Sequence, residues 1–442
     1  MFKKVFPLSS IIGLRFLSLF LVLPVVSAYA LTLQGATDLL VGIVVGGYAL
    51  TQAIFQVPFG VLSDKIGRKI TILFGLSIAI AGSIICATSD DIMMLMIGRF
   101  LQGAGAVGSV ITAMIGDLVA EEVRAKAMAI MGGTIGMSFA LAMILGPVIG
   151  GGFANGVSIL FWITAGLSLF SIILLFTKVP TPPKIVHTYA ESIKTIHIFQ
   201  DGALLRLFMA NFLQKGMMIA AFVMIPKIMT IEFAWKMSEL WMVYVPAIVL
   251  GLIMMGPAAV FGEKYNKPKQ IFLIAIVLFA LSFALMGMPT SIGLFITGVV
   301  FFFIAFNLME PLLQSMITKF AKVHQKGAAL GMGNTFGYLG SFLGGMTAGF
   351  YLADREMLGI IFVSISLVWL VWTLFMKNPT KTSHLYLPFD DIDLDKVKGL
   401  EHDALIEWYM NETEGLVIFK YKKELVEHDD FKSHVEKTAG SK

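Results

Sequence analysis

The chain has 442 residues, of which 57% are hydrophobic and only 14% are charged, with a formal net charge of +4. Soluble domains are about 45–50% apolar and about 25% charged, so this composition excludes an ordinary soluble protein. A single cysteine, Cys86, excludes an intrachain disulfide and a cysteine-based metal cluster.

Long apolar runs follow one another along most of the chain. They are continuous rather than alternating, which favours helices over the strands of a barrel, the only other structure that satisfies its own backbone in lipid. About 20 apolar residues cross a hydrocarbon core of about 30 Å. The sequence therefore predicts an all-α polytopic membrane protein, and its first run continues as a full span rather than as a cleavable signal peptide. The twelve predicted spans are residues 9–31, 38–62, 70–88, 92–118, 127–152, 156–178, 203–227, 238–261, 271–288, 292–319, 328–352 and 356–376.

Lysines and arginines are concentrated in the loops on one side of these spans. The loop with Lys65, Arg68 and Lys69 is typical of that side, whereas the other side carries little beyond Lys236 and Arg355. Because short cytoplasmic loops are enriched in basic residues, both termini and the loop at Arg68 are predicted to face the cytoplasm.

Four segments are predicted. The N-terminal six-helix half covers residues 1–178, and the C-terminal half covers 202–377. The linker 179–201 joins them, and its apolar residues at helical spacing predict a short amphipathic surface helix. Residues 384–442 form a soluble tail.

The stretch GVLSDKIGRK, residues 60–69, has a counterpart later in the chain. Shifted by 199 residues, PFGVLSDKIGRK (58–69) aligns with PAAVFGEKYNKP (257–268), with a proline, an acid and a lysine at matching positions. Each segment follows the second span of its half. Chance similarity between two charged loops is the alternative, but the matching position favours a duplication. Two parallel six-helix halves with a substrate site between them are a known transporter architecture.

The pattern GxLxDKxGRK at residues 60–69 resembles, at every position, the loop 2–3 signature of the major facilitator superfamily. RFLQGAGA (99–106) resembles the helix-4 motif of that family. GPVIGG, with Gly146, Pro147, Gly150 and Gly151, resembles the helix-5 motif of its drug/proton antiporters. That motif usually has a glycine where this chain has Ala142, which weakens the antiporter interpretation. The resemblance covers residues 9–376.

The resemblance implies that the loop acts as a conformational latch. Its glycines allow close helix approach and a tight turn. The carboxylate would accept hydrogen bonds at the N-terminus of span eleven, near Ala328, where the helix dipole favours it. The arginine would pair with an acid at the end of span four. The alternative is a solvated charged loop worth less than about 1 kcal/mol. The predicted latch comprises Gly60, Asp64, Gly67, Arg68, Lys69 and Asp117.

Charged residues inside predicted spans are functional candidates, because a charge at the bilayer centre costs at least about 2.5–3.5 kcal/mol. Glu310 in span ten precedes Pro311 and is the first proton-carrier candidate; a structural ion pair is the alternative. Lys215 in span seven is predicted to pair with it, since spans seven and ten flank the cavity in this family; snorkelling is the alternative.

Three further charged residues lie in or at the ends of predicted spans. The resemblance implies that Arg99 takes part in proton or substrate coupling, against a packing cation bonded to carbonyl groups. Asp38 opens span two, where it is either a proton entry group or a helix N-cap. Arg15 is expected to snorkel or to pack.

Polar residues in the same spans could line a substrate cavity. With Lys215, the candidates are Tyr48, Gln52, Gln56, Gln102, Asn211, Gln214, Asn307 and Gln314. The chain has no GxxxxGK[ST] loop, so ATP-driven transport by this chain is excluded. Its histidines lack metal spacing, so neither a metal nor any other cofactor is expected.

The tail predicts a small α/β domain. Residues 384–391 alternate like a strand, 394–412 are predicted as a helix, 415–426 as a strand or hairpin, and 427–438 as a second helix. This order is compatible with a ferredoxin-like domain short of a final strand. A loosely folded acidic tail is the alternative. The domain is expected to dock on the protein's own cytoplasmic face or on a second copy.

Together these features predict a transporter of the bacterial inner membrane and not an enzyme. The first hypothesis is proton-coupled efflux, by antiport, of hydrophobic or cationic small molecules. Its partners would be substrate, protons and lipid, and not nucleic acid. The alternatives are a facilitator or symporter for a small metabolite, and a transporter-like receptor that signals through its tail.

Overall fold

The structure is a computed structural model. It describes residues 2–119, 121–181, 201–265, 267–288, 291–321, 325–376, 378, 382–397, 399–400, 402–411 and 415–440. The predicted helix of the 179–201 linker lies almost entirely outside these residues.

Helices dominate the described chain up to residue 374. They are α1 (Phe2–Phe20), α2 (Leu23–Ala30), α3 (Asp38–Ile66), α4 (Arg68–Ala87), α5 (Ile92–Ala104), α6 (Gly108–Leu118), α7 (Glu121–Gly152), α8 (Gly156–Lys178), α9 (Gly202–Lys227), α10 (Trp241–Lys264), α11 (Pro268–Gly287), α12 (Ile292–Phe320), α13 (Lys326–Phe350) and α14 (Arg355–Leu374). Within the described residues, eleven helical stretches are long and apolar enough to cross a membrane. Helix α13 has 25 residues, but its glycine-rich sequence keeps it out of that set.

Two of the predicted spans are interrupted. The first divides into α1 and α2 just before Pro24, which cannot donate a backbone hydrogen bond. The fourth divides into α5 and α6 at residues 105–107. Each interruption leaves backbone carbonyl groups without their usual helical partners.

The helices form two bundles that meet at one end. In the N-terminal bundle α1 packs on α7 and α8, and α4 on α5 and α8; in the C-terminal bundle α13 packs on α9, and α11 on α12 and α14. Helices α3 and α13 make the largest contact between bundles. We call the end of the molecule at Asp38 and Lys227 the Asp38 end, and the opposite end the Arg68 end.

Close backbone approach holds the bundles together at the Asp38 end. A Cβ built on Gly42 of α3 would lie 2.7 Å from the Cα atom of Gly349 of α13, and one on Gly46 would lie 2.9 Å from the Ser341 carbonyl oxygen. Small residues at this spacing let helix backbones touch in membranes. The Ser27 hydroxyl of α2 also donates to the Phe222 carbonyl of α9 (3.1 Å).

The same two helices separate towards the Arg68 end. A Cβ built on Gly60 of α3, or on Gly327 or Gly331 of α13, would meet no atom within 4 Å. Among the described residues, the last polar contact between α3 and α13 on this path is the hydrogen bond from Gln52 Nε2 to the Tyr338 hydroxyl (2.9 Å). The interface is therefore closed at one end and open at the other.

The tail is a three-stranded antiparallel sheet with helices. Strands β1 (Thr382–Pro388), β2 (Leu405–Asn411) and β3 (Leu416–Lys422) have the order β1-β3-β2. Helix α16 (His428–Ala439) covers the sheet with Phe431 and Val435, which are four residues apart and fully buried. The two predicted strands, at 384–391 and 415–426, and the last predicted helix are confirmed as β1, β3 and α16.

The predicted helix at 394–412 is wrong. Only Leu394–Val397, α15, is helical, and residues 405–411 form β2. Gly399 lies two residues after the end of α15, and glycine is a poor helix former. Trp408 and Tyr409 favour a strand, and here they pair with Phe419 and Ile418 of β3.

Candidate functional site

An ion pair joins the two helices that were predicted to flank a cavity. Lys215 of α9 and Glu310 of α12 lie 2.7 Å apart, from Nζ to Oε2, and their side chains are 22% and 37% exposed. The Lys215 ammonium also lies over the Phe306 ring, 4.9 Å from its centroid. Lys215 is about 18 Å along α9 from Lys227, at 1.5 Å per residue, and so is far from the helix end.

Local sequence shapes this pair. Pro311 lies inside α12 and has no N–H, so the carbonyl group of Asn307, four residues earlier, loses its helical donor. The side-chain amide of Asn307 donates to the Phe303 carbonyl, one turn earlier in the same helix (2.8 Å). Glu310 therefore sits at a weakened turn of its helix.

Two buried arginines lie in the N-terminal bundle. Arg99 of α5 is fully buried, donates to the carbonyl groups of Val44 and Val45 and to Gln102 Oε1, and lies 4.7 Å from the Tyr48 ring centroid. Arg15 of α1, 4% exposed, donates to the carbonyl groups of Gln102 and Gly105 at the interruption between α5 and α6. Arg15 thus packs rather than snorkels.

Tyr338 of α13 links the two bundles, and the sequence analysis did not single it out. Its hydroxyl accepts the hydrogen bond from Gln52 Nε2 of α3 (2.9 Å). No local sequence feature marks Tyr338, because its role depends on contact between distant helices.

Most of the predicted cavity amides tie helices together. Gln102 donates to Ser83 (2.8 Å), Asn211 to the Gly333 carbonyl (2.7 Å), and Gln214 to the Phe306 carbonyl (3.4 Å). The Gln56 side chain is buried, and the backbone carbonyl of Gln56 accepts a hydrogen bond from the Ser109 hydroxyl (3.1 Å). Gln314 is half-buried.

An ion pair that joins the two bundles lies at the Asp38 end. Asp38 Oδ2 is 3.6 Å from Lys227 Nζ, and Lys227 also donates to the Leu352 carbonyl (2.8 Å). Asp38 is not the N-cap of α3, because Thr37 occupies that position and accepts from the Leu40 amide. The sequence analysis did not identify Lys227. Its position at the end of span seven, at the same end as Asp38, could have indicated this ion pair.

The residues of the predicted latch converge only in part. The Arg68 guanidinium lies 2.6 Å from Asp64 and 2.9 Å from Asp117, and it also bonds Ser63, while Lys69 donates to the Val179 carbonyl. Arg68 therefore ties α4 to the ends of α3 and α6.

The signature is mostly helical rather than a loop. Helix α3 continues to Ile66, and only Gly67, with φ +98°, forms the turn. Asp64 is 64% exposed, and within the described residues its carboxylate contacts Arg68 and not the start of α13. The expected contact with span eleven is absent from this state because the bundles are apart at this end.

The two ion pairs of Arg68, with Asp117 and with Asp64, should differ in strength. A double-mutant cycle on Arg68→Ala and Asp117→Ala is expected to give a coupling energy of about 1 kcal/mol, because both side chains are mostly buried. The cycle with Asp64→Ala is the matched control, and it should give less than about 0.5 kcal/mol since Asp64 is exposed. Thermal unfolding of the purified variants in detergent measures both cycles. Equal values would contradict this ranking.

The helix-5 motif lies at the bundle interface near the Asp38 end. A Cβ on Gly146 would lie 2.6 Å from the Pro24 side chain of α2, and one on Gly151 would lie 2.6 Å from the Met237 carbonyl carbon in the C-terminal bundle. Gly150 faces Val25, Pro147 is inside α7, and Ala142 is fully buried. Small residues here allow α7 to approach both neighbours.

Known proteins share this architecture. The inner membrane transport protein YajR of Escherichia coli (strain K12) is 35% identical over 384 residues, which are 86% of this chain and 84% of that protein. The quinolone resistance protein NorA of Staphylococcus aureus (strain MRSA252) is 27% identical over 78% of this chain and 89% of its own length. The crystal structure of a D-xylose-proton symporter matches 86% of this chain and 99% of that chain with a TM-score of 0.70 at 14% identity, which shows a shared fold.

The family model agrees. Residues 8–345 match the Major Facilitator Superfamily. The matched family and its relatives are transporters rather than enzymes, which confirms the resemblance found in the sequence. This chain is a multi-pass membrane protein that belongs to the Major Facilitator Superfamily.

Proposed function

We propose that this protein is a proton-coupled secondary transporter that exports hydrophobic small molecules by antiport, with Glu310 as the principal proton site. The observation that carries the proposal is the Lys215–Glu310 ion pair, far from the helix ends and still partly exposed. A proton on Glu310 removes the charge that holds Lys215, and loss of the proton restores it. Titration of one carboxyl group therefore switches a contact between α9 and α12.

The closed Asp38 end and the open Arg68 end support an inward-facing state. In this proposal the Arg68 end and both termini are cytoplasmic, in a bacterial inner membrane. The glycine contact of α3 with α13 closes the outer end, and the Asp38–Lys227 pair adds to it. Protonation of Asp38 from outside would release Lys227. Arg99, bonded to the carbonyl groups of α3, would transmit the change through the N-terminal bundle.

The finer architecture is part of the same proposal. Helix α13, the predicted span eleven, brings the number of spans to twelve: it is long enough, and it packs against α3 and α9. Residues 1–178 and 202–377 are pseudo-symmetric halves around the site. The tail has the β1-β3-β2 order and antiparallel pairing of a ferredoxin-like domain.

The direction of transport is inferred from one relative and one sequence motif. NorA is named for quinolone resistance, and the GPVIGG stretch resembles an antiporter motif. The matched D-xylose-proton symporter structure has the same fold. Facilitated diffusion, symport and a receptor role are therefore the outcomes against which antiport is tested.

Everted membrane vesicles provide the test. With the lumen acidified and followed by a quenched dye, addition of an exported compound should release protons and restore fluorescence. Compounds that carry a positive charge, a negative charge, both or neither should be compared. Substrate flux without proton movement would indicate a facilitator, and ligand binding without any flux would indicate a receptor.

The tail contacts the helix that carries Glu310. Lys420 of β3, 3% exposed, pairs with Glu407 (3.3 Å) and donates to the Ala321 carbonyl at the end of α12 (3.2 Å). A cation at a helix C-terminus is favourable. We place the regulatory action of the tail here: docking on the protein's own face restrains α12 as the site changes state.

Lys420→Met is therefore expected to accelerate transport by about fivefold, since loss of one hydrogen bond of about 1 kcal/mol weakens the restraint. Lys423→Met, at an exposed turn residue of the same domain, should leave the rate unchanged. Initial rates in vesicles with matched protein levels measure both. An unchanged rate in Lys420→Met, together with an unchanged oligomeric state after removal of residues 384–442, would contradict a regulatory tail.

A further inference from the structure

Lys215 needs a second partner if Glu310 takes up a proton. Its ammonium lies 2.7 Å from Glu310 Oε2, and its side chain is 22% exposed. Protonation of the carboxyl group would leave a mostly buried cation without a counter-charge, which is costly inside the membrane. On the helices that pack against α9, the described charged residues other than Glu310 lie in the first or last turns. The second partner is therefore expected among neutral acceptors.

Asn211 provides a buried acceptor on the same face of α9. It lies four residues before Lys215, and residues at this spacing are neighbours on a helix surface. The Asn211 side chain is 1% exposed, and its Nδ2 donates to the Gly333 carbonyl of α13 (2.7 Å). That bond fixes the orientation of the amide, because only its nitrogen can donate. Among the described residues, Asn211 Oδ1 is left buried without a hydrogen-bond partner.

Helix α13 brings the Asn211 oxygen and the Lys215 stem to one point. A Cβ built on Gly337 would lie 3.1 Å from Asn211 Oδ1 and 3.1 Å from Lys215 Cγ, so the two atoms are at most twice that distance apart. The ammonium ends a flexible stem beyond Cγ, and side-chain rotation can carry it to Oδ1. Tyr338, the next residue and the titratable group of α13 in this region, is engaged by Gln52 (2.9 Å).

Gln214 is the rival acceptor. Its side chain is fully buried, and its Oε1 also has no partner among the described residues. However, Gln214 directly precedes Lys215, and consecutive residues of a helix do not face each other. Its Nε2 instead donates to the Phe306 carbonyl of α12 (3.4 Å). The spacing and the shared contact at Gly337 therefore favour Asn211.

We propose that Asn211 Oδ1 is the second partner of Lys215: the ammonium binds Glu310 while that carboxyl group is charged, and Asn211 when it is protonated. This assignment rests on the proposed function for the role of Glu310. A buried oxygen without a hydrogen bond destabilises the present state, and the bond gained from a cation stabilises the protonated one. Asn211 is thus a positioning residue that favours protonation of Glu310, and Lys215 returns to Glu310 when the proton leaves.

Infrared difference spectra of the purified full chain in lipid follow the protonation of Glu310. The carbonyl stretching band of a protonated carboxyl group that is missing in Glu310→Gln identifies this residue, and its pH midpoint can be compared between variants. Asn211→Leu is expected to lower the midpoint by about one pH unit, as for loss of a hydrogen bond to a charged group. The sign is downward because the protonated state loses its stabilising contact. An unchanged midpoint would overturn the assignment and indicate that water receives Lys215.

A second substitution separates the acceptor from the contact with Gly333. Asn211→Asp keeps an oxygen acceptor but, like Asn211→Leu, loses the donor to the Gly333 carbonyl. It should raise the midpoint, because a carboxylate holds Lys215 more strongly than an amide does. Shifts of both variants in the same direction would mean that Asn211 only ties α9 to α13. A larger shift in Gln214→Leu than in Asn211→Leu would identify Gln214 as the partner. Either result would overturn the assignment.

Gly337→Ala tests the same contact without changing a polar group. Its methyl group would lie against both Asn211 Oδ1 and Lys215 Cγ, so the midpoint should fall, though by less than in Asn211→Leu. Gly331→Ala is the matched control in the same helix, because a Cβ there would meet no atom within 4 Å, and it should leave the midpoint unchanged. Equal midpoints in these two variants would overturn the assignment even if Asn211→Leu proves too unstable to purify.

Proton flux in vesicles separates this assignment from the proposed function. If the midpoint of Glu310 depends on Asn211 but substrate moves no protons, the assignment stands and antiport falls. If substrate drives proton release through Glu310 and the midpoint is independent of Asn211, antiport stands and the assignment falls. Absence of the Glu310 band at every pH at which the protein stays folded would overturn both.

Discussion

Glu310→Gln is expected to abolish proton-coupled flux while the protein still folds and binds its substrate. Glutamine keeps the shape and a hydrogen-bond acceptor for Lys215, but it cannot titrate at any physiological pH. Coupling between two sites is typically worth about 1–3 kcal/mol, so its complete loss should lower coupled flux by on the order of 100-fold. Substrate-driven release of protons in everted vesicles measures it, and substrate exchange at equal pH on both sides should persist.

The matched control is Glu232→Gln. Glu232 also forms a 2.7 Å ion pair, with Arg355, and its side chain is 42% exposed, close to the value for Glu310. It lies at the Asp38 end, away from the Lys215–Glu310 pair, so coupling should survive. Coupled flux that persists in Glu310→Gln, or that disappears equally in Glu232→Gln, would remove Glu310 from the mechanism.

The sequence predicted the helices well because membrane spans are determined locally. An unbroken apolar run of about 20 residues has few alternatives in lipid. Span six was predicted at 156–178, and α8 has those limits. The Lys215–Glu310 contact was also predictable, since two opposite charges in spans that flank one cavity are costly apart.

Features that depend on distant contacts could not be predicted. The interruption of span four is stabilised by Arg15 from another helix, and no breaking residue other than glycine marks it. Strand β2 was predicted as a helix because no turn signal was recognised between it and β3, with which it pairs from Asn411–Leu416 onward. The Asp64 contact with span eleven depends on the conformational state, and a single sequence does not specify which state is observed.

Substitutions in the α3 glycines should move the protein between its two states in opposite directions. Gly42 packs against α13 at the closed Asp38 end, so Gly42→Leu cannot be accommodated there without separating the helices. Overpacking costs about 1–3 kcal/mol, which corresponds to a shift of roughly 5- to 100-fold towards the state open at the Asp38 end. Gly60 meets open space here, so Gly60→Leu is tolerated in this state and should disfavour only closure of the Arg68 end.

Labelling of introduced cysteines measures solvent access at the two ends, because Cys86 is buried and is the only native cysteine. In a Cys86→Ala background, Ser27→Cys reports the Asp38 end and Ala328→Cys the Arg68 end. Gly42→Leu should expose the first reporter and protect the second, and Gly60→Leu should do the reverse. Gly166→Leu in α8, which also meets open space but away from the interface between bundles, should change neither. If both α3 substitutions shifted labelling in the same direction, the two ends would not alternate, and alternating access around Glu310 would be untenable.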